Sequence, residues 1–317
     1  MCPIVKKMGE FLPHFHLVDL HQFGSPKITS SYVFSNNHHS ILFDCGTTDN
    51  VHRILRYLRK ANISIKSIDY FVPSHHHFDH FYGVFKLYPI VAEKNPNVKI
   101  LCTQAIADRM NDPLPHLERA KRTYGDLVGE VGYLPEKAFE IVKPDAKIDV
   151  PGWPGYVLQL VATPGHEPEH QSPTIWSPAG EPIFCHVGEA AGAQFNTIKP
   201  ITLPTSMPPG FRFEPFMTSL EKLIKLKPHN ITFCHFGAIT GEQDSLAALQ
   251  DQKKFLPAYR AKIKNLYELY GATRPVVEGM LPLIKERSDF PEGNSILNKI
   301  ILAIVYGMLA DLGFKER

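Results

Sequence analysis

The chain has 317 residues, and its 34 Lys and Arg against 32 Asp and Glu give a formal net charge of +2. This near-neutral balance disfavours a dedicated nucleic-acid-binding protein, which needs a basic field. Hydrophobic residues make up 44% and charged residues 21%, which excludes disordered and fibrous classes. Five cysteines, an odd number, argue against a disulfide framework and predict a reducing, cytoplasmic location. The unusual count is that of histidine, with 16 copies.

Strands and helices are predicted to alternate along the chain, which indicates an α/β fold. Alternating or short continuous apolar runs predict strands over 16–20, 32–34, 41–43, 68–72, 98–102, 156–162, 183–187 and 231–234. Helical spacing predicts helices over 50–61, from 103 to 110, over 115–129, from about Pro215, and from 242 to the end of the chain.

Two segments depart from this alternation. Residues 193–216 contain five prolines and no clear period, which predicts a long irregular loop of functional importance. The apolar run 300–310 is too short to span a membrane and is flanked by Lys299 and Asp311, so we expect no membrane partner. A helix that is apolar over so wide a face is predicted to be buried in the fold or against a second copy of the chain.

A run of histidines follows the predicted strand 68–72. The sequence HHHFDH over 75–80 contains four imidazoles and one carboxylate within six positions. In an extended loop His75 and His77 project to the same side, and Asp79 and His80 follow at the turn into the next helix. Imidazole and carboxylate are ligands of Zn²⁺ and related ions. The run therefore predicts a metal site that can hold one or two ions.

Three further candidate ligands also lie just beyond predicted strands. His166 follows the strand 156–162, Glu189 follows 183–187, and His235 follows 231–233. Because α/β folds build their sites at strand ends, we expect these side chains to join the histidine run.

The joint order of these motifs resembles that of the metallo-β-lactamase superfamily hydrolases, over about 32–237. The strand that ends in Asp44-Cys45-Gly46 resembles the family's Asp-x-Gly, and the loop 74–80 resembles its signature motif. The triple histidine is the form seen in glyoxalase-II-like thioesterases. Gly165-His166 and His235 resemble the later motifs.

The resemblance implies a four-layer αββα sandwich and two divalent metal ions at one sheet edge. It places His75, His77 and His166 at one ion, and Asp79, His80 and His235 at the other. Zn²⁺ is favoured as the metal, with Fe or Mn as alternatives. Residues 1–241 would form the catalytic domain, and 242–317 a helical extension packed on it and a candidate interface for homo-oligomers.

Glu189 departs from the family pattern, which has a bridging Asp at this point. Its stem is longer by one C–C bond, about 1.5 Å. It is predicted to ligate metal, either as a bridge or at one ion only, and His186 is an alternative ligand if the loop register differs. Cys234 and Phe236 also stand where the family often has glycines.

The resemblance implies hydrolysis by a metal-bound hydroxide, with Asp79 as ligand and candidate proton carrier. The expected substrate is a small-molecule thioester or a related ester or lactone. A β-lactamase or small phosphodiester hydrolase on the same site is an alternative, and so is a non-catalytic metal- or ligand-binding regulatory protein.

A second set of residues is predicted to surround the centre. His170 is a candidate for proton transfer, for substrate contact or for a hydrogen bond to a ligand. Candidate substrate contacts are Tyr82, Phe195, Arg212 and Phe236. The histidines without partner spacing are predicted to be structural or exposed: His14, His16, His21, His38, His39, His52, His116 and His229.

Overall fold

The computed structural model describes residues 3–290 and 295–316. Its strands, in chain order, are β1 (Ile4–Val5), β2 (Gly9–Leu12), β3 (Phe15–Asp19), β4 (Ser30–Ser35), β5 (Ser40–Phe43), β6 (Ile68–Val72), β7 (Lys99–Cys102), β8 (Phe139–Ile141), β9 (Lys147–Asp149), β10 (Val157–Ala162), β11 (Gln171–Trp176), β12 (Pro182–Gly188), β13 (Asn230–Phe233) and β14 (Ala238–Thr240). The helices are α1 (Val51–Lys60), α2 (Phe78–Phe81), α3 (Val84–Ala92), α4 (Gln104–Asn111), α5 (Leu114–Tyr124), α6 (Phe213–Leu226), α7 (Glu242–Tyr270), α8 (Thr273–Lys285) and α9 (Ser295–Asp311).

The described strands form two seven-stranded mixed sheets. The N-terminal sheet has the order β2-β3-β4-β5-β6-β7-β8, and the C-terminal sheet has the order β1-β14-β13-β12-β11-β10-β9. In the first sheet β5, β6, β7 and β8 run parallel, and in the second only the β12–β13 pair does. The N-terminal β1 pairs with β14, so the first described residues join the sheet directly before α7.

Period-two alternation along the strands separates three apolar layers. In β4, Tyr32 and Phe34 belong to the layer between the sheets, whereas Val33 belongs to the layer beneath α1–α5. Phe184 of β12 faces the first layer, and its neighbour Cys185 faces the helices α6–α9. Helices therefore cover the outer face of each sheet, which confirms the predicted αββα sandwich.

The C-terminal helices share one core with the C-terminal sheet. Leu249 of α7 and Ile304 of α9 are fully buried in the same apolar cluster as Val187 of β12 and Phe233 of β13. The boundary after residue 241 stays a prediction. None of the helices among the described residues is long and apolar enough to cross a membrane.

Several described elements differ from the sequence prediction: β1, β2, β8, β9, β11 and β14 were not predicted, and the helical stretch predicted from 242 onward is divided into α7, α8 and α9. Two of the differences have a clear local cause. β11 was not predicted because it contains Pro173, which cannot donate to a strand ladder. Pro173 lies opposite Leu160 of β10, just beyond the register that β11 shares with β12, so no ladder bond to β12 is lost there. The helix predicted over 115–129 ends at Tyr124, because Gly125 adopts a φ of 61°.

The long loop is confirmed as irregular: between Gly188 and Phe213 the described chain forms only an isolated bridge between Ala193 and Leu203. Four cysteines are free and buried, namely Cys45, Cys102, Cys185 and Cys234, whereas Cys2 lies outside the described residues.

Candidate metal centre and substrate pocket

Loops that follow four strands bring the predicted ligands to one place. His75 and His77 follow β6, His166 follows β10, and Glu189 directly follows β12. His235 lies in the short connection between β13 and β14. The structure thus brings together side chains that are far apart in sequence.

The first group of donors consists of His75, His77, His166 and Glu189, whose ligand atoms all lie within 4.8 Å of one another. Glu189 Oε2 is 2.8 Å from His166 Nε2 and 3.3 Å from His75 Nε2. His77 Nδ1 lies 3.2 Å from His166 Nε2. Four nitrogen and oxygen donors therefore converge on one point.

The second group consists of Asp79, His80 and His235, again within 4.8 Å. Asp79 Oδ2 is 3.3 Å from His80 Nε2 and 3.8 Å from His235 Nε2. Glu189 also reaches this group, because its Oε2 is 3.3 Å from His80 Nε2 and its Oε1 is 3.6 Å from His235 Nε2. The Glu189 carboxylate lies between the two groups.

The donor set fits divalent metal ions. His75 Nε2 and Glu189 Oε1 are buried and have no hydrogen-bond partner among the described residues. An unpaired buried polar atom costs about 1–3 kcal/mol, so these atoms call for a partner that the chain does not supply. Imidazole nitrogens and carboxylate oxygens are suitable partners for Zn²⁺, Fe²⁺ or Mn²⁺.

The electrostatic environment keeps His75 and Glu189 in the form that binds a cation, whereas it favours the protonated form of His80, which has to lose its proton on binding a metal ion. Burial, reinforced by nearby His77, lowers the pKa of His75 well below its usual range, so its imidazole is neutral. Burial acts to raise the pKa of Glu189, but the His166 and His235 imidazoles hold that pKa well below its usual range. Burial also opposes the charged form of His80, yet Asp79 and Glu189 raise its pKa to about 9.

Comparison with known proteins identifies the family. A family model described as the metallo-beta-lactamase superfamily matches residues 24–235, more than half of the chain. The chain belongs to the metallo-β-lactamase superfamily. This membership implies a metal-dependent hydrolase and a site for divalent metal, in agreement with the donor groups described above.

Relatives of this superfamily member support the same fold. The metallo-beta-lactamase fold-containing protein ST1585 of Sulfurisphaera tokodaii is 28% identical over 225 residues, 68% of this chain and 75% of the relative. The crystal structure of ST1585 from Sulfolobus tokodaii superimposes with a TM-score of 0.63 and 22% identity, covering 93% of this chain and 97% of that one. The metallo-beta-lactamase family protein TTHA1429 of Thermus thermophilus gives a TM-score of 0.63 and 16% identity, covering 96% and 94%.

A second hydrogen bond orients several histidines of this metallo-β-lactamase superfamily site. His166 Nδ1 donates to the carbonyl oxygen of Thr205 at 2.7 Å, and His235 Nδ1 donates to that of Ile28 at 3.3 Å. In each ring the remaining nitrogen, Nε2, carries the lone pair toward the centre. Such partners fix the tautomer of a ligand histidine and its orientation.

Asp44 is hydrogen-bonded to Ser74, at the start of the histidine loop. Its carboxylate accepts hydrogen bonds from the Ser74 backbone N–H and from Ser74 Oγ, each at 2.8 Å. It is also 2.8 Å from His186 Nε2, and His186 Nδ1 lies 3.0 Å from Thr232 Oγ1. The alternative prediction of His186 as a metal ligand is therefore wrong, because both ring nitrogens are engaged with other groups.

His170 holds the backbone of Glu189. The Glu189 backbone N–H donates to His170 Nε2 at 3.1 Å, and His170 Nδ1 lies 2.9 Å from Thr163 Oγ1. The side chain is buried and both nitrogens are engaged. The structure thus gives His170 a positioning contact to the chain that carries Glu189, and its predicted catalytic role stays a prediction.

A cavity of about 480 Å³ opens onto the metal groups. Its floor includes His77, Asp79, Glu189 and His235. Its walls come from α5, from the loop before α6, from α9 and from the chain end: His116, Arg119, Ala120, Thr123, Tyr124, Met207, Pro208, Pro209, Ala303, Tyr306 and Glu316. The cavity is the candidate substrate pocket of the superfamily site, and the C-terminal extension closes one side of it.

Of the predicted substrate contacts, only Phe195 lies beside the centre. Its ring centroid is 5.6 Å from that of His235 and 4.8 Å from that of Phe290. It supports His235 from behind, and the described lining of the cavity does not include it.

The structure places three other predicted contacts away from the lining of this cavity. The Tyr82 side chain is fully buried, and its hydroxyl donates to the Pro113 carbonyl at 3.1 Å. Phe236 packs in the layer between the sheets. The Arg212 guanidinium donates to backbone carbonyls of the loop before α6, at 2.7 to 3.1 Å. None of them is among the described residues that line the cavity.

Sequence reasoning missed His116 and Cys234. The ring of His116 on α5 stacks on that of His77, with centroids 4.7 Å apart, and it lines the pocket. Cys234 Sγ lies 3.7 Å from His80 Nε2, and burial raises the pKa of this thiol well above its usual range. Sequence spacing does not indicate either contact, because the two partners of each contact are far apart along the chain.

Proposed function

We propose that this chain is a dinuclear metal-dependent hydrolase that cleaves a thioester, or a related ester or lactone, of a small molecule. The observation that carries the proposal is the Glu189 carboxylate, which lies 2.8 Å from a donor of the first group and 3.3 Å from one of the second. A carboxylate between two donor groups is the arrangement that a two-metal site requires.

The proposed mechanism assigns distinct tasks to these side chains. The two donor groups would hold divalent ions, which would make a water molecule more acidic and polarise the substrate carbonyl. The Asp79 carboxylate is on the pocket floor and its side chain is 16% exposed, so it can orient the attacking water and carry its proton toward the leaving group. The buried His75 and His166 hold the centre and exclude bulk water from beneath it.

The pocket supports a small, partly apolar substrate. Its volume of about 480 Å³ lies within the usual range for small-molecule sites. Tyr124, Met207 and Tyr306 supply apolar surface, and Arg119 places one guanidinium on the wall. A thioester or ester with an apolar body and one anionic group matches this lining.

The test combines metal analysis with a substrate panel. We expect purified protein to bind two divalent ions and to hydrolyse thioesters or esters faster than β-lactams and phosphodiesters. Asp79→Ala should abolish turnover while the protein stays folded. Fewer than about one ion per chain would contradict the dinuclear proposal. Metal-loaded protein without activity on any class would favour a binding protein, and preferential β-lactam or phosphodiester turnover would replace the substrate assignment.

A further inference from the structure

The first donor group has three histidines. Among the described residues, only His77 has a carboxylate next to the ring nitrogen that faces away from the group. His77 Nε2 lies 2.9 Å from Glu167 Oε1, while its Nδ1 points at His166 Nε2 from 3.2 Å. Both side chains are largely buried, with 12% of His77 and 7% of Glu167 exposed. The imidazole is therefore held between an acidic side chain and the metal group.

The acceptor chemistry of an ionised carboxylate decides the tautomer of the ring. An ionised carboxylate only accepts hydrogen bonds, so Nε2 of His77 must carry the proton and Nδ1 is left with its lone pair. We propose that Glu167 is a positioning residue that fixes this tautomer and thereby makes His77 Nδ1 a metal-binding atom. The inference rests on the metal site of the proposed function and not on its substrate.

Three other histidines of the centre have neutral partners. His166 and His235 donate to backbone carbonyls, and His75 Nδ1 lies 3.0 Å from Ser74 Oγ. A hydrogen bond to a charged carboxylate is about twice as strong as a neutral one and makes the ring a better donor to a metal. Glu167 is therefore expected to contribute more to metal binding than these neutral partners.

The local backbone holds Glu167 in place. The N–H of Gly165 and that of His170 donate to the Glu167 carbonyl at 3.1 and 3.3 Å, which closes a tight turn directly after His166. Gly210 lies against the carboxylate so closely that a Cβ at this position would be 2.1 Å from Glu167 Oε1. One short turn thus supplies the predicted ligand His166 and the Glu167 carboxylate that orients the neighbouring His77.

Glu169 is a matched control within the same turn. It is equally buried, with 4% of its side chain exposed, and it pairs with Nδ1 of His76. His76 is the spacer of the histidine loop and lies outside both donor groups of the metal centre, in a separate cluster with Glu167 and Glu169 whose donor atoms lie within 4.8 Å of one another. Removing Glu169 takes away the same kind of carboxylate–histidine pair without touching a predicted ligand.

The experiment measures Zn²⁺ affinity by chelator competition at one pH for Glu167→Ala, Glu167→Gln, Glu169→Ala and the parent chain. We expect Glu167→Ala to weaken binding about 10- to 100-fold, and Glu169→Ala to change it by less than about threefold. Glu167→Gln keeps an acceptor oxygen without the charge, so it should recover part of the loss. Thermal unfolding of the metal-free variants reports folding independently.

Three outcomes would overturn the inference. Glu167→Ala could leave the affinity within about threefold of the parent, Glu169→Ala could lose as much as Glu167→Ala, or the parent could fail to bind Zn²⁺. The last outcome would also overturn the proposed function if Fe²⁺ and Mn²⁺ fail to bind as well. A parent that binds Zn²⁺ but hydrolyses nothing would contradict only the proposed function, because the affinity comparison needs no turnover.

Discussion

At the scale of single residues, Glu189 depends on the glycine before it. Gly188 has a φ of 55°, and a Cβ there would lie 2.7 Å from both His170 Nε2 and the Ser74 Cβ. The backbone therefore passes close against His170, whose ring accepts the Glu189 N–H. From this fixed point the longer carboxylate stem reaches both donor groups.

Shortening that stem tests whether the reach matters. Glu189→Asp retracts the carboxylate by about 1.5 Å, so it can no longer approach both groups. We expect the second metal ion to bind about 10-fold or more weakly and kcat to fall by at least as much. Metal titration with parallel activity assays measures both. Glu169→Asp is the matched control, and unchanged stoichiometry and affinity in Glu189→Asp would refute a bridging role.

The sequence predicted which donor residues lie together better than it predicted the residues that hydrogen-bond to those donors. His75, His77 and Asp79 share one short loop, so their proximity follows from local geometry. The hydrogen-bond partners Asp44 and Glu167 could not be assigned, because the sequence does not show which group a carboxylate next to a motif points toward. Tyr82 was misjudged for a related reason: its polar end satisfies a core carbonyl, and sequence does not distinguish that from a hydroxyl that faces substrate.

At the scale of elements, α9 packs directly on the loop that orients His166. Ser206 Oγ donates to the Ile304 carbonyl at 2.6 Å, and a Cβ on Gly307 would lie 2.0 Å from the Ser206 carbonyl oxygen. The adjacent Thr205 carbonyl accepts the hydrogen bond from His166. The C-terminal helix thereby supports a predicted metal ligand through two successive residues.

Gly307→Ala is expected to separate α9 from this loop. The added methyl group meets backbone that cannot rotate away, so we expect a loss of about 1–3 kcal/mol in the free energy of unfolding and weaker metal binding. Denaturant unfolding and metal titration measure the two effects. Gly279→Ala in α8 is the control, because its Cβ would meet the movable Cδ1 of Leu266 at 2.8 Å. Equal effects of the two substitutions would contradict this role of α9.

Helix α5 contributes the pocket's guanidinium through Arg119. If Arg119 binds an anionic group of the substrate, Arg119→Met should raise KM about 2- to 5-fold for carboxylate-bearing thioesters, as expected for a solvent-exposed ion pair. KM for neutral thioesters should not change. Arg122→Met, on the same helix and not among the described pocket-lining residues, is the control. A similar rise of KM for both substrate types would exclude charge recognition.

Two of the element predictions failed because a single residue conflicted with the surrounding hydrophobic pattern. Pro173 concealed β11, and Gly125 ended α5 before the predicted limit. Pairing with β10 holds β11 in the sheet despite Pro173, whereas the backbone of Gly125 itself ends α5.

At the scale of the whole molecule, the α/β class followed from alternating elements, whereas the four layers followed from the family resemblance. Alternation alone does not reveal that two sheets face each other. The structure shows this through Phe15 and Phe184, which stack between the sheets with ring centroids 4.6 Å apart.

The shared core predicts that the catalytic region needs its C-terminal helices. A chain ending after residue 241 would expose the apolar surface around Val187, Phe233 and Leu220, which α7 and α9 cover. We expect this fragment to aggregate or to lack a cooperative unfolding transition. Soluble expression and thermal unfolding followed by circular dichroism test this. A soluble 1–241 fragment that unfolds cooperatively would contradict it.

The spread of the donor residues along the chain sets the order of events during biosynthesis. The centre needs groups from His75 to His235, and the helix that supports the loop at Thr205 ends only at Asp311. A nascent chain on the ribosome therefore presents isolated histidines but no assembled centre. We expect the centre to assemble only after α9 has been synthesised, because its donor groups and the helix that supports them span residues 75 to 311.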